Sequence, residues 1–122
     1  MELVISIVSW NTLALLRKCL ASLLPYCRSE HTRIVVVDNA SSDGTPDMVR
    51  REFPTVTLIE SGGNLGFGRA HNLLARYSAE PFVLFLNPDT EFIEDAHEQM
   101  LEVLKRFPRV GVVGCRMTKL DG

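Results

Sequence analysis

An α/β fold with an open, mostly parallel sheet and helices on both faces is predicted from three observations. Short runs rich in valine and isoleucine alternate with amphipathic segments along the chain. The run at 33–37 is continuously apolar after its first residue, as in strands that are buried on both faces of a parallel sheet. The order β-α-β-α-β-α-β-α-β joins parallel neighbours through helices. We therefore expect ligand-binding residues just after the strands, because the crevice of such sheets lies at their carboxyl ends.

The elements follow from residue spacing and from the residues that begin and end helices. Strands are predicted at 3–9, 33–37, 56–59, 82–86 and 110–113. Helices are predicted at 13–24, 45–52, 66–77 and 95–107, with apolar stripes at Leu13, Leu16, Leu20, Leu23 and Leu24 in the first and at Met100, Leu104 and Phe107 in the last. Thr45 before Pro46 predicts an N-cap, and Asp95 with Glu98 resembles a capping box.

Size and composition predict one globular domain. The chain has 122 residues, of which 46% are hydrophobic and 23% charged. Its formal net charge of -2 argues against nucleic-acid binding through a basic face. No apolar stretch reaches the roughly 20 residues of a transmembrane segment, and the N-terminal sequence lacks the features of a signal peptide. Three cysteines without metal-ligand spacing favour free thiols, so we expect a protein of the cytoplasm or of the cytoplasmic face of a membrane.

Asp38 is the first candidate binding residue. It follows four aliphatic residues and precedes a segment dense in loop-forming residues, at 39–45. A carboxylate there can accept a hydrogen bond from a buried N–H donor of a ligand, such as the imide of uracil or thymine. The alternative is that Asp38 accepts from amides of its own loop, as aspartate often does in turns. The residues alone leave both interpretations open.

Two further segments favour phosphate and metal binding. Asp89, in the tripeptide 87–89 after the 82–86 strand, can hold Mg²⁺ or Mn²⁺ together with ligand phosphates, although such a tripeptide is also an ordinary turn. The glycine-rich segment 62–69 allows close backbone approach and opens a helix, which favours anion binding. It matches neither the dinucleotide fingerprint nor the phosphate-binding loop of NTPases. His71 lies beside this segment and is expected at the surface or in packing, while Trp10 is suited either to base stacking or to packing.

Together these segments resemble the inverting family 2 glycosyltransferases, and most closely their rhamnosyltransferase-like branch. The resemblance is carried, in order along the chain, by VSWN at 8–11, VVDNASSDGT at 36–45, GNLGFG at 63–68 and LNPD at 86–89. It covers essentially the whole chain. It implies the GT-A fold, the Rossmann-like fold of nucleotide-diphospho-sugar transferases, with residues 1–122 forming the donor-binding part of one domain.

The resemblance also implies roles for individual residues. Asp38 is expected to contact a pyrimidine imide, Asn11 to lie near the base or ribose, and Asn64 and Arg69 to line the pocket for a UDP- or dTDP-sugar. Asp89 matches the last residue of the family's Asp-x-Asp metal motif and is expected to bind Mg²⁺ or Mn²⁺. Asn87 stands where that motif has its first aspartate, so the site carries one negative charge fewer.

The implied activity is hexosyl transfer with inversion to a saccharide or lipid-linked hydroxyl, in cell-surface polysaccharide biosynthesis. The family's catalytic base lies far beyond the metal motif, so no catalytic residue is assigned and the acceptor-binding half is expected to be absent from 1–122. We expect these residues alone to be inactive, and to self-associate through an apolar face at Val110, Val112 and Val113. The alternatives are a non-catalytic nucleotide-binding module and a nucleotidyltransferase; the latter needs a basic, glycine-rich loop after the first strand.

Overall fold

Four parallel strands form one sheet in the computed structural model, which describes residues 2–27 and 30–119. The strands are β1 (Leu3–Ser9), β2 (Thr32–Asp38), β3 (Thr57–Glu60) and β4 (Phe82–Leu86), in the spatial order β3-β2-β1-β4. The helices are α1 (Leu13–Leu23), α2 (Thr45–Glu52), α3 (Gly66–Arg76) and α4 (Ala96–Arg106), and a 3₁₀ turn at Leu24–Tyr26 follows α1. The predicted α/β architecture is confirmed.

The central strand β1 is buried along its whole length, because it lies between β2 and β4 and its side chains pack into core layers on both faces. Its last residue, Ser9, is level with Asp38 of β2, and Ile7 is level with Leu86 of β4. The chain moves outward from β1 to β3 and then returns through α3 to the other side of β1. The strand order therefore reverses between β1 and β4, and ligands of open α/β sheets bind at such a point.

Alternating side chains of the strands divide the core into two layers, one on each face of the sheet. The larger layer joins one face to α1, α2 and α4, with Ile5, Leu20, Val49 and Leu101 among its buried members. The smaller layer joins the opposite face to α3 through side chains such as Val35 and Leu74. Helices thus cover both faces, as predicted. None of the helices within the described ranges is long and apolar enough to cross a membrane.

The strand predicted at 110–113 is wrong. These residues join no strand ladder within the described part of the chain, and Val112 is 89% exposed. A strand is stabilised by its neighbours' hydrogen bonds, and an apolar run without a neighbour has no reason to extend. Gly111 also interrupts the run, and glycine weakens a strand interior.

The predicted stripe of α4 is confirmed for Met100 and Leu104 but not for Phe107. Its buried residues are His97 and Leu101, whereas Phe107 lies beyond the helix and is half exposed. Met100 and Leu104 are partly buried and lie on the same face of α4 as His97 and Leu101, so the predicted face is the inward one. His97 extends this face toward the Phe92 ring, at 5.9 Å between ring centroids.

The predicted helix caps also differ in detail. Gly44, at φ +87°, precedes α2, and the Asp43 carboxylate accepts the Thr45 N–H at 3.1 Å. Thr45 is therefore the first residue of the helix and not its cap. Asp95 occupies the N-cap position of α4, but its side chain bonds the Gln99 amide at 3.3 Å instead of a backbone N–H. Glu98 donates its N–H to the Asp95 carbonyl and closes no capping box.

Candidate functional site

Asp38 ends β2 and is almost fully buried. Its Oδ2 accepts the Ser41 N–H at 2.9 Å, and its Oδ1 accepts the Ser41 hydroxyl at 2.6 Å. These are the loop contacts of the alternative interpretation. A carboxylate offers about four acceptor positions, so the two bonds from Ser41 use only part of this capacity. Asp38 is held in one orientation by its loop, with acceptor capacity left.

Asn11 connects the loop after β1 to the loop after β2. Its backbone N–H donates to the Ser41 hydroxyl at 2.9 Å, and its side-chain Oδ1 accepts the Ser42 N–H at 2.8 Å. Its φ of +50° is in the left-handed region, which asparagine tolerates better than most residues. The structure thus brings Asn11 and Asp38 together through Ser41. Trp10, directly before Asn11, is half exposed.

Asp43 was not predicted as a functional residue, yet it joins two helix starts at this edge of the sheet. Its Oδ2 accepts the Leu13 N–H at the beginning of α1 at 3.0 Å, while its Oδ1 accepts from the first residue of α2, Thr45. Burial alone would raise the pKa of Asp43, but hydrogen bonds from the Thr45 hydroxyl and from the two amides lower it below its usual value. A carboxylate at a helix N-terminus is stabilised by the helix dipole in addition.

Asn39 was expected among the polar residues at the strand ends but was assigned no role, and it fixes the glycine-rich loop before α3. Its side-chain nitrogen donates to the Gly66 carbonyl at 3.3 Å, and its Oδ1 accepts the Leu65 N–H at 3.4 Å and the Ser61 hydroxyl at 3.1 Å. The residue is buried. Its position directly after Asp38 at a strand end is the only signal in the sequence that could have identified it.

Asn64 and Arg69 lie on this glycine-rich loop and on the first turns of α3, and both are exposed. The Asn64 Oδ1 accepts the Gly66 N–H at 3.0 Å, so its side chain shapes the turn that opens the helix. Gly66 has φ +77°, a conformation that side chains rarely adopt. Arg69 has no hydrogen bond or ion pair to any described residue. The structure does not bring Asn64 or Arg69 into contact with Asp38.

Asp89 follows β4 in a segment without helix or strand that we call the Asp89 loop, residues 87–95. Its carboxylate is exposed and has no hydrogen bond or ion pair with the residues described. No group of three histidine, cysteine, aspartate or glutamate side chains suited to a metal ion occurs at the described positions. One free carboxylate fits a magnesium-type ion that takes most of its ligands from water and substrate phosphates. Asp89 is the residue that would hold it.

A buried serine–histidine pair lies behind the glycine-rich loop. The Ser6 Oγ of β1 and the His71 Nδ1 of α3 are 2.6 Å apart. The His71 ring packs edge-on against Phe67 and Phe85, at 4.2 and 4.9 Å between ring centroids. Burial lowers the pKa of His71. These contacts place His71 in packing, one of the two roles expected for it.

Comparison with known proteins gives a consistent family. The family model described as Glycosyl transferase family 2 matches residues 4–122. An N-acetylglucosaminyl-diphospho-decaprenol L-rhamnosyltransferase of Mycobacterium tuberculosis is 32% identical over 100 residues, covering 73% of this chain and 33% of the relative. The glycosyltransferase SunS of Bacillus subtilis is 23% identical over 99 residues.

Solved structures agree on the fold. The mannosyltransferase PcManGT from Pyrobaculum calidifontis, in complex with GDP-Man and Mn²⁺, superposes with a TM-score of 0.87 at 26% identity, over 96% of this chain and 36% of that one. Staphylococcus aureus TarS 1–349, in complex with UDP-GlcNAc, gives 0.74 at 20% identity, over 87% of this chain and 32% of that one. The chain spans about a third of the length of these relatives. Its fold is GT-A, and the chain belongs to glycosyl transferase family 2.

Proposed function

We propose that this chain binds a nucleoside-diphosphate sugar and a divalent metal at the carboxyl edge of its sheet, as the donor-binding part of an inverting hexosyltransferase. One observation carries the proposal. Asp38 and Asn11 are joined into one hydrogen-bonded unit at the ends of β2 and β1, and Asp89 follows β4, the other neighbour of β1. Side chains suited to different parts of one substrate, its base and its metal-bound diphosphate, thus lie along one edge of the sheet.

The base would be recognised by Asp38. Its buried carboxylate accepts hydrogen bonds only, which suits the imide N–H of uracil or thymine. Asn11 lies next to this carboxylate through Ser41 and would face the base or ribose. Asn64 and Arg69 would line the pocket from the start of α3, where the guanidinium has no partner among the described residues and can meet a phosphate or sugar. The proposed donor is therefore a UDP- or dTDP-sugar.

The metal would be held by Asp89. A bound divalent cation neutralises the charge that develops on the pyrophosphate as the glycosidic bond breaks. Two related findings support metal use: the family membership, and the Mn²⁺ and GDP-Man bound by the Pyrobaculum mannosyltransferase. Because Asn87 supplies no charge, the diphosphate has to provide much of the coordination, so metal and nucleotide should bind cooperatively.

The biological setting proposed is cell-surface polysaccharide biosynthesis in the cytoplasm or at its membrane face, with a saccharide or lipid-linked acceptor. The mycobacterial relative is named for transfer of rhamnose to a lipid-linked sugar. A non-catalytic nucleotide-binding module of the same fold is the alternative. The two are distinguished by whether the full-length protein transfers sugar from a donor that this chain binds.

Nucleotide binding can be followed directly by tryptophan fluorescence. Trp10 is the only tryptophan of the chain and adjoins Asn11, so UDP binding should change its emission. Titration with UDP, dTDP and GDP, each with Mg²⁺ and with EDTA, should give tighter binding with the metal for at least one nucleotide. Asp89→Ala should remove the metal effect and leave the weak metal-free binding. Glu94→Ala, in the same exposed loop, is the matched control and should behave as the parent.

Two results would contradict this proposal. Equal affinities with Mg²⁺ and with EDTA would exclude a metal role for Asp89. An absence of binding by all three nucleotides, in a chain shown to be folded by circular dichroism, would exclude the donor site itself.

Residues 1–122 on their own are proposed to bind donor without transferring sugar. General-base catalysis is typically worth about 10²–10⁴-fold, and no residue of the chain is assigned that role. Donor incubated with a panel of saccharide acceptors should therefore release nucleoside diphosphate at the background rate. Acceptor-dependent release would show that a catalytic base lies within these residues.

A further inference from the structure

The Asp89 loop is fixed mainly by contacts outside itself. Asp89 lies at an exposed position of the loop and has no side-chain contact to the described residues that would set its orientation. Inside the loop, the Thr90 hydroxyl donates to the Asn87 carbonyl at 2.8 Å. The position of the carboxylate consequently depends on how the loop backbone is held against the rest of the fold.

The C-terminal half of α1 and the turn after it hold this backbone. The Ser22 Oγ accepts the Phe92 N–H at 2.9 Å, and its own proton goes to the Cys19 carbonyl at 2.8 Å. The Tyr26 hydroxyl donates to the Ile93 carbonyl at 3.0 Å. At the other end of the loop, the Cys19 Sγ lies 3.9 Å from the Asn87 carbonyl oxygen.

These three side chains form one row. Positions 19 and 22 have the i, i+3 spacing of one face of α1, and Tyr26 follows in the 3₁₀ turn after the helix. The row touches the loop both before and after Asp89, at Asn87 and at 92–93. Phe92 packs against the large core layer, so the second attachment is apolar as well as hydrogen-bonded. A loop tied on both sides of one residue presents that residue with little freedom.

We propose that Ser22 and Tyr26 are positioning residues for the metal-binding carboxylate of Asp89. The inference rests on the proposed metal role of Asp89. It adds which residues fix the position of the Asp89 carboxylate. When the protein supplies only one carboxylate to the metal, no second carboxylate can compensate if the first is misplaced. The loop attachment therefore determines how well metal and nucleotide support each other's binding, while metal-free nucleotide binding, which uses Asp38 and Asn11, does not depend on it.

The test is the ratio of UDP affinities measured by calorimetry with Mg²⁺ and with EDTA. Ser22→Ala and Tyr26→Phe should each lower this ratio by about threefold to tenfold, the range expected for one lost hydrogen bond. The affinity in EDTA should stay at the parent value. Ser22→Thr keeps the hydroxyl and should restore the ratio. Ser78→Ala is the matched control, because it removes a serine hydroxyl that bonds Glu80, beyond the opposite end of the sheet.

Hydrogen exchange of the Phe92 amide provides a second readout that needs no ligand. The amide should be protected in the parent and in Ser22→Thr, and should exchange faster in Ser22→Ala. Metal dependence that survives both Ser22→Ala and Tyr26→Phe would overturn the positioning role alone, as would an equally fast Phe92 exchange in parent and Ser22→Ala. A parent without any metal dependence would overturn the metal role of Asp89 and this inference with it.

Discussion

Asp38 combines the burial of a core residue with the chemistry of a binding residue. Both of its side-chain hydrogen bonds come from Ser41, three residues further along the chain, so the carboxylate is oriented by a neutral residue of its own loop. Hydrogen bonds to a charged acceptor are stronger than neutral ones. The unit of Asp38, Ser41 and Asn11 is therefore preorganised to accept a hydrogen bond from a ligand before the ligand binds.

Asp38→Asn tests this arrangement. The amide replaces part of the acceptor capacity with N–H donors, so a base imide would face a donor. We expect a loss of about 1–3 kcal/mol in UDP or dTDP binding, the usual cost of leaving a buried partner unpaired. Calorimetry measures it. Ser41→Ala, which removes the hydroxyl's bonds to Asp38 and Asn11 but keeps the carboxylate, is the comparison and should lose less. Equal affinity of parent and Asp38→Asn would remove Asp38 from the site.

At this scale the sequence predicted positions better than contacts. Asp38, Asn11 and Asp89 could be singled out because polar residues directly after apolar strands are unusual. The contacts of Asn39, Ser41 and Asp43 were not identified. Ser41 and Asp43 bond the loop after β1, about 30 residues away in the chain, and the two loops meet because β1 and β2 pair with Ser9 level with Asp38. Asn39 bonds the loop after β3, which is brought near because Glu60 is level with Asp38. Spacing within one segment carries no information about such a register.

At the scale of elements, an ion pair connects β2 to the segment between α3 and β4. The Glu80 carboxylate accepts from the Arg33 Nε at 2.8 Å and from its Nη2 at 3.1 Å, and it also accepts the Ser78 hydroxyl. Burial alone would raise the pKa of Glu80, but the hydrogen bonds from Arg33 and Ser78 and the Arg33 charge lower it from 4.5 to about 2. The folded state thus favours the ionised carboxylate.

A depressed pKa makes this contribution to stability dependent on pH. It is fully present above about pH 4.5 and is lost as the pH falls toward about 2. Glu80→Gln should cost about 1–2 kcal/mol at pH 7, since Arg33 is partly exposed, and should flatten the acid dependence between pH 5 and pH 2.5. Urea unfolding at several pH values measures both. Glu94→Gln removes an exposed carboxylate outside this cluster, and its acid profile should match that of the parent; a Glu80→Gln profile as steep as the parent's would contradict the assignment.

Prediction of the elements succeeded where the residue pattern itself defines a strand or a helix start. It failed where contacts with other elements determine whether a segment forms a strand. The β4 limits 82–86 and the α3 start at Gly66 match the predicted ones. The apolar stripe located the inward face of α4 at Met100 and Leu104, but the burial of His97 on the same face, beside Phe92, could not be derived from an apolar pattern. The run at 110–113 has a strand composition but no partner strand among the described residues.

At the scale of the whole molecule, the outer edge of β4 pairs with no other described strand. Val83 and Phe85 of β4 and Phe67 of α3 are exposed on its α3 side, and Val112 is exposed further along the chain. An uncharged strand edge beside apolar side chains is a template for pairing with another chain. The self-association predicted from Val110, Val112 and Val113 would then extend to β4.

We expect residues 1–122 to form dimers or larger species as concentration rises, measured by multi-angle light scattering. Val83→Lys places a charge at the β4 edge and should shift the chain toward the monomer. Leu15→Lys adds the same charge to an exposed position of α1 and should leave the distribution unchanged. A parent that stays monomeric at high concentration would contradict the prediction, and so would an equal response to both substitutions.

The central place of β1 has a consequence for how the chain acquires its structure during synthesis. Leu3 is level with Phe82, so one of the two partners of the first strand is made 79 residues later, counting from 3 to 82. During translation at about 5–20 residues per second, seven apolar-rich residues wait several seconds with one side unpaired. Pairings of such long range are slow to form. The β1 segment therefore stays unpaired on one side until β4 is made, and the sheet cannot be completed before that point.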